Sequence, residues 1–239
     1  MAGVMYLGNQ MVSPVIIQGS GSSETFCRYK IENGIVSTEE LDGDIFKDIV
    51  EITDSAFMNA FSGYGGLGII NFQSLKYVDE YGLYKTFSDC EEVESARLPL
   101  LKTVGEYGLF SSFNNSEINS IDLSSLESVA TNGLSQFIQR CVWISEVRLQ
   151  SLKSIGMYGL IGAFHGCYSL SDVYLNSLVS IHRYAFINMF DNDTGLYPGT
   201  CTVHLPSNLQ GTIATLIGYP TFGGNSSRIV LAFDLPATS

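Results

Sequence analysis

The chain has 239 residues, 45% of them hydrophobic, and 12 Lys and Arg against 24 Asp and Glu give a net charge of −12 at pH 7. This charge repels phosphate backbones and anionic lipid, so neither nucleic acid nor a membrane is an expected partner. The sequence contains no run of about 18 apolar residues, so it predicts no membrane-spanning helix. The first residues also lack the basic segment and long apolar stretch of a secretory signal.

Residues 1–40 are predicted to form a small β segment. Two strand pairs are expected, one turning at Gly8 and Asn9 and the other at Asn33 and Gly34, with a flexible joint over residues 19–23. The string YLGNQMVSP resembles the start of prophage-encoded, tail-associated repeat proteins. That resemblance implies that this segment serves for attachment.

An internal repeat occupies residues 41–190. The strings SLKYVDEYGL, LLKTVGEYGL, SLESVATNGL, SLKSIGMYGL and SLVSIHRYAF each contain an anchor Leu, and successive anchors are 26, 25, 26 and 26 residues apart. A degenerate copy, IVEITDSAFMNAF, puts a sixth anchor 26 residues earlier. This period is typical of leucine-rich repeats, and it predicts about six stacked coils. The anchors are Ile49, Leu75, Leu101, Leu126, Leu152 and Leu178.

Each coil contributes apolar residues at fixed distances from its anchor, which predicts one shared core. The position three residues after the anchor is Val or Ile, and the positions eight and twelve residues after it are Leu, Ile or Phe. Before the anchor, apolar alternation of the kind Ile144/Val147/Leu149 predicts a short strand. A small residue recurs where the chain turns closely against its neighbour, and the following YGLxxxF spacing predicts a short helical turn. The small residues are Ala56, Gly82, Gly108, Gly133, Gly159 and Ala185.

The repeat resembles the BspA-like leucine-rich repeat, with an order of V/I-x-x-Y-G/A-L/F-x-x-x-F-x-x-C-x-x-L-x-x-V-x-L-x-S-L. Asn132 replaces the usual Tyr and Ser116 the usual Cys. The resemblance implies an α/β repeat fold, a right-handed leucine-rich-repeat solenoid that is rich in strands. It also implies a surface or adhesion protein that binds a partner and is not an enzyme.

Residues 191–239 are predicted to cap the last coil. Val203 and Leu205 restore the strand pattern after an insertion, and LPSNLQGTIATLIGYP is typical of strand, turn and helix. The insertion includes Asp191 and Asp193, which resemble the start of a calcium loop, but Thr202 stands where the bidentate Glu belongs. A solvated insertion is favoured, and calcium binding is left open.

The sequence predicts no catalytic, cofactor or metal site. Cys90, Cys141 and Cys167 lie fifteen residues after their anchors, which favours a ladder of buried, unpaired thiols over a zinc site. His165, His182 and His204 fall at unrelated positions of the repeat. The string GYGGLG precedes a strand instead of following one, the reverse of a dinucleotide site. The Tyr81, Tyr107, Tyr158 and Tyr184 ladder is either a sugar-binding strip or coil-to-coil stacking, and stacking is favoured.

The strongest candidate binding residues point away from the core. Between the two core positions of each strand lies one outward residue, and these six residues form what we term the outer column: Asn71, Arg97, Asp122, Arg148, Tyr174 and His204. The curvature of a solenoid would make this the concave side, the usual binding surface of repeat proteins. Two basic residues and a Tyr favour binding of carboxylates, sugars or peptides, whereas ordinary solvated strand residues are the alternative. Trp143 is a second candidate, because its equivalents in other coils are polar.

The predicted function is a non-catalytic binding or adhesion protein that presents a concave repeat surface to a protein or glycan. Its setting would be extracellular, on a cell surface or on a phage tail, and a homo-oligomer is one option. The alternative is a purely structural subunit of a larger assembly.

Overall fold

A computed structural model gives the structure of the chain, and it describes residues 5–7, 10–12, 46–64, 67–190, 199–216 and 229–234. Near the N-terminus, β1 (Met5–Leu7) and β2 (Gln10–Val12) pair antiparallel, with Leu7 opposite Gln10. This register leaves two residues for the turn, so the hairpin predicted at Gly8 and Asn9 is present. The strand pair predicted at Asn33 and Gly34 and the joint at residues 19–23 lie outside the described residues.

Six coils follow, and each contributes a two-residue strand to one parallel sheet, which we call the back sheet. Its strands pair in chain order, each with the equivalent residues of the next coil. Such a ladder forms because equivalent residues of stacked coils repeat about one strand spacing apart, ~4.8 Å. The strands are β3 (Glu51–Ile52), β5 (Tyr77–Val78), β7 (Thr103–Val104), β9 (Ser128–Val129), β11 (Ser154–Ile155) and β13 (Ser180–Ile181).

The strands that precede the anchors form two further parallel sheets, which we call the front sheets. The first contains three strands and the second contains four. Strands of the first are β4 (Ile69–Asn71), β6 (Ser95–Arg97) and β8 (Ser120–Asp122). Strands of the second are β10 (Glu146–Arg148), β12 (Asp172–Tyr174), β14 (Cys201–Pro206) and β15 (Ile229–Asp234).

The YGLxxxF segments are successive hydrogen-bonded turns, and in the described coils none of them is α-helix. In the second coil, Tyr81, Lys85 and Asp89 have φ of 54°, 51° and 59°, so every fourth residue is left-handed. Thr86 N–H donates to the Leu83 carbonyl three residues earlier, while Lys85 N–H donates to Phe110 of the next coil. The predicted short helical turns therefore keep the local hydrogen bonds of a turn, but alternate donors bond between coils instead of along a helix.

The anchors form one continuous core with the columns of equivalent residues that lie three, eight and twelve positions after them in each coil. This core runs from Phe46 to Ile213. All six anchors are buried, as are the residues eight and twelve positions later. The column three residues after the anchor is also buried except at Ile181, which is half-buried and packs against the core. The predicted positions of the core residues are therefore confirmed.

The recurring glycines are explained by close packing, because none of Gly82, Gly108, Gly133 and Gly159 has a positive φ. A Cβ at Gly133 would lie 2.7 Å from Val129 Cγ1, and one at Gly159 would lie 2.5 Å from Ile155 Cγ2. The turn therefore packs directly on the strand of its own coil.

The predicted cap is present. After β14 come a 3₁₀ helix (Ser207–Leu209) and α1 (Gln210–Leu216), with Leu209 and Ile213 buried in the core. The sequence did not predict β15, which adds in parallel to β14 with Cys201 opposite Ile229 and Pro206 opposite Asp234. The last described strand therefore extends the second front sheet beyond the coils.

Candidate functional site

The outer column is aligned by the strand pairing of the front sheets. Asn71, Arg97 and Asp122 are register partners in the first sheet. Arg148, Tyr174 and His204 are register partners in the second. The six predicted residues thus form two groups of three.

Arg148 and Tyr174 begin the second group. The guanidinium of Arg148 donates from Nε to Glu146 Oε1 and from Nη2 to Glu146 Oε2, both at 2.9 Å. Its Cζ atom lies 4.6 Å from the centre of the Tyr174 ring. The hydrogen bonds to Glu146 raise the pKa of Arg148 further. The guanidinium is therefore held over the ring by a carboxylate two residues earlier on the same strand.

His204 continues the stack and joins three strands. Its ring lies 4.3 Å from the Tyr174 ring with an interplanar angle of 7°. Nε2 is 3.0 Å from Asp172 Oδ1 on β12, and Nδ1 is 2.9 Å from Asp234 Oδ2 on β15. Burial lowers the pKa of His204, but the hydrogen bonds to Asp172 and Asp234 outweigh burial, so its pKa is raised. Protonated His204 donates to both carboxylates.

The two aspartates have other partners that fix them. Ser171 Oγ donates to Asp172 Oδ2 at 2.7 Å, and this bond followed by the one from His204 lowers the pKa of Asp172. Asn176 Nδ2 donates to Asp234 Oδ2 at 2.9 Å. We call Glu146, Arg148, Asp172, Tyr174, His204 and Asp234 the stacked cluster. Its side chains are positioned by one another.

The charge of the stacked cluster differs from the expectation. Three carboxylates face one guanidinium and one imidazole, so the cluster is net negative even when His204 is protonated. The outer column was predicted to bind carboxylates through its basic residues, yet Arg148 and His204 already have carboxylate partners. Because Tyr174 lies between Arg148 and His204, its ring faces are covered, and the groups that the cluster offers to a ligand are carboxylate acceptors.

The first group is arranged differently. Arg97 is exposed, and the Asp122 carboxylate accepts a hydrogen bond from Ser124 N at 3.0 Å. No stacking between Asn71, Arg97 and Asp122 is observed among these described residues.

Trp143, at 61% exposure, lies three residues before β10 and outside the outer column. It is therefore a separate exposed aromatic residue.

Glu146, Asp172 and Asp234 are the site residues that sequence reasoning missed. Asp172 had a signal, because it lies two residues before Tyr174 in the same strand, and alternation points both side chains outward. Asp234 gave no signal, since its strand lies outside the repeat.

The thiols form the ladder that the repeat predicts. Cys90, Cys141 and Cys167 are buried and free. Each Sγ donates to a backbone carbonyl of the previous coil, that of the residue twelve positions after that coil's anchor. The acceptors are Phe61, Phe113 and Ile138, at 3.1, 2.9 and 3.0 Å. Burial raises the pKa of Cys90 to about 11 and that of Cys141 to about 12.

Among the described residues, no group of three His, Cys, Asp or Glu side chains is placed to hold a metal ion. Asp191 and Asp193 lie outside the described residues.

The tyrosine ladder is stacked between coils. Tyr81 and Tyr107 lie 5.0 Å apart with an angle of 2°, and Tyr158 and Tyr184 lie 5.7 Å apart with an angle of 10°. The faces that a sugar ring would need are turned toward each other within each pair. Stacking between coils, the favoured alternative, is confirmed.

Stacked coils with parallel sheets, a shared core and rows of aligned outward side chains define a leucine-rich-repeat solenoid. The family model for the BspA type leucine rich repeat region matches residues 83–203 in six copies, and the chain belongs to this family. Proteins of this family are generally non-enzymatic scaffolds and are often associated with surfaces. A comparison with curated proteins gave no match. Among the described residues, no helix is long and apolar enough to span a membrane.

Proposed function

We propose that this protein is a non-catalytic adhesion protein that binds a protein or glycan partner through its front sheets, on a cell surface or a phage tail. The stacked cluster is the observation that carries the proposal. Its aromatic and charged side chains are held at an aligned, accessible surface before any ligand arrives. A preorganised surface loses less conformational entropy on binding.

The geometry also indicates what kind of group the cluster accepts. Asp172 and Asp234 are hydrogen-bond acceptors at the edge of the His204 ring, and Glu146 is an acceptor beside Arg148. Sugar hydroxyls, peptide N–H groups and Lys side chains donate to such acceptors. Arg97 and Asp122 on the first front sheet extend the same row of outward residues by further coils.

The proposal is tested with a triple variant, Arg97→Glu, Arg148→Glu and Tyr174→Ala. The parent chain is screened against arrays of glycans and of surface proteins, and any ligand found is titrated against the variant. We expect binding to weaken by at least tenfold, as for loss of an interface anchor. The matched control is Lys47→Glu, Lys76→Glu and Tyr168→Ala, which makes the same change of charge away from the outer column. Equal binding by the triple variant and the parent would contradict the proposal.

A purely structural role is the second candidate. Trp143 supports it, since a large exposed aromatic residue on a polar background is typical of an interface. Light scattering of the purified chain tests this role. A species that stays monomeric at high concentration argues against assembly through identical copies.

A further inference from the structure

A groove of about 510 Å³ crosses the back sheet, away from the outer column. Its volume lies in the range of small-molecule sites. The lining comes from five neighbouring coils and includes Val78, Val104 and Val129, whose side chains are buried in the core. The outward side chains that line it are Glu51, Tyr77, Asp79, Thr103, Ser128 and Ser154.

Three hydroxyl groups line the groove in a regular row. Thr103, Ser128 and Ser154 are register partners in successive strands. Their side-chain hydroxyls have no hydrogen-bond partner among the described residues. Each is half-buried and free to donate and accept, and the spacing between them follows the strand spacing of ~4.8 Å.

Packing keeps the groove open. Gly105 and Ala130 lie two residues after Thr103 and Ser128 and have little or no side chain. A Cβ at Gly105 would lie 2.8 Å from the carbonyl carbon of Asp79, so a larger residue is excluded by the backbone of the previous coil. At one end, Tyr77 is 42% exposed and rises above this floor. The groove thus has a low floor at Gly105 and Ala130, a row of hydroxyl groups beside it, and an aromatic wall.

The charge of the lining selects against anions. Glu51 and Asp79 contribute carboxylates, and the lining includes no Lys, Arg or His. Three lysines directly precede lining residues in the sequence: Lys102 and Lys153 are paired with Glu127 at 3.8 and 2.7 Å, and Lys76 is exposed and not part of the lining. A polyanion such as a nucleic acid or a sulfated glycan is therefore repelled.

We propose that this groove binds a neutral, linear oligosaccharide that runs across the coils. Its hydroxyls bond to the row of Thr103, Ser128 and Ser154 and to the two carboxylates, and one sugar ring lies on Tyr77. A pyranose in an extended β-linked chain advances by a distance similar to the strand spacing. A peptide strand advances only ~3.3 Å per residue and falls out of step with the row. This site is separate from the outer column, and it goes beyond the function proposed above.

Calorimetric titration of the whole chain with cellotetraose, a neutral β-linked probe, tests the proposal. We expect Tyr77→Ala to raise the dissociation constant at least about tenfold. The pair Thr103→Val and Ser128→Ala, which removes two hydroxyls with little change of shape, has a similar effect. Tyr168→Ala and Ser180→Ala are the matched controls, since both lie outside the groove, and they bind like the parent. Thermal melting of each variant shows that it is folded.

Four results would overturn the proposal, three of them on the groove itself. The parent gives no binding heat with millimolar cellotetraose, or Tyr77→Ala binds as tightly as the parent, or the bent isomer maltotetraose binds equally well. Loss of cellotetraose binding in the Arg148→Glu and Tyr174→Ala variant alone places the sugar on the outer column. That outcome also rejects the groove, while it supports the function proposed for the front sheets.

Discussion

At the scale of single residues, one position of the repeat shows how a side chain is selected by a carbonyl. Cys90, Cys141 and Cys167 donate from Sγ to a carbonyl of the previous coil, and Ser116 donates from Oγ to the equivalent carbonyl of Phe87 at 2.7 Å. The shared requirement is a small buried donor. Ser therefore replaces Cys without loss of the bond, whereas an apolar residue at position 116 or 141 removes the donor to the Phe87 or Phe113 carbonyl.

Substitutions at Cys141 test this requirement. We expect Cys141→Ser to change the free energy of unfolding by less than about 1 kcal/mol, because the bond to the Phe113 carbonyl at 2.9 Å is kept. Cys141→Val fills similar space but removes the donor, and we expect a loss of about 1–3 kcal/mol. Urea unfolding of the three proteins measures both values. Equal stability of the Ser and Val variants would show that this position requires only a small residue.

At the scale of elements, β15 is joined to the solenoid by side chains as well as by its backbone. Its backbone pairs with β14 over six residues. Asp234 at its end accepts hydrogen bonds from His204 and Asn176. His204 also bonds to Asp172, so one imidazole links β12, β14 and β15. The protonation state of His204 therefore affects how firmly the last strand is held.

The pH dependence of stability follows from these bonds. The pKa of His204 is raised above its ordinary 6.5, so its contribution is full below pH 6.5 and is lost as the pH rises through the raised value. The pKa of Asp172 is lowered below 3.8, so its contribution is present above pH 3.8 and is lost as the pH falls through the lowered value. Both contributions are present between pH 3.8 and 6.5.

His204→Gln tests this link. We expect the variant to melt below the parent between pH 3.8 and 6.5, and the difference to shrink as the pH rises well above 6.5. Melting curves at several pH values measure the difference, and His182→Gln, at an exposed histidine outside the front sheets, is the control. A difference that stays constant with pH would show that the charge of His204 does not hold β15.

At the scale of the whole molecule, the coils share one core and stabilise one another. The buried cluster runs without interruption from Phe46 in the first coil to Ile213 in the cap. In such an array, stability is approximately the sum of coil and interface contributions. A defect in a central coil therefore weakens two interfaces at once.

Charged residues in the central core test this continuity. Leu126 and Phe164 are 0% and 2% exposed, and we expect Leu126→Asp or Phe164→Asp to prevent folding because each buries an unpaired charge. The milder Leu126→Ala remains folded, with a loss of about 2–5 kcal/mol. Circular dichroism and thermal melting report both outcomes. A soluble Asp variant with a cooperative transition would show that the register of the core is wrong.

The period of the repeat was sufficient to predict the coils, the core columns and the alignment of the outer column. Local sequence determines these features, because each coil places the same residues at the same height and only one register buries the Leu, Val and Phe columns. Ser116 and Asn132 did not disturb this prediction, since the neighbouring columns continue past them.

Only the tertiary structure decided what the outward residues do. The Arg148 guanidinium is bound by Glu146 and stacks on Tyr174, and β15 brings Asp234 to His204 from 30 residues away. The strand of Asp234 has no repeat, so its partner cannot be assigned from a period. The left-handed residues of the turns could not be predicted from the sequence either. Tyr81, Lys85 and Gln136 have a positive φ, although Tyr, Lys and Gln rarely adopt one. Hydrogen bonds between coils impose that conformation, and they exist only once the coils are stacked.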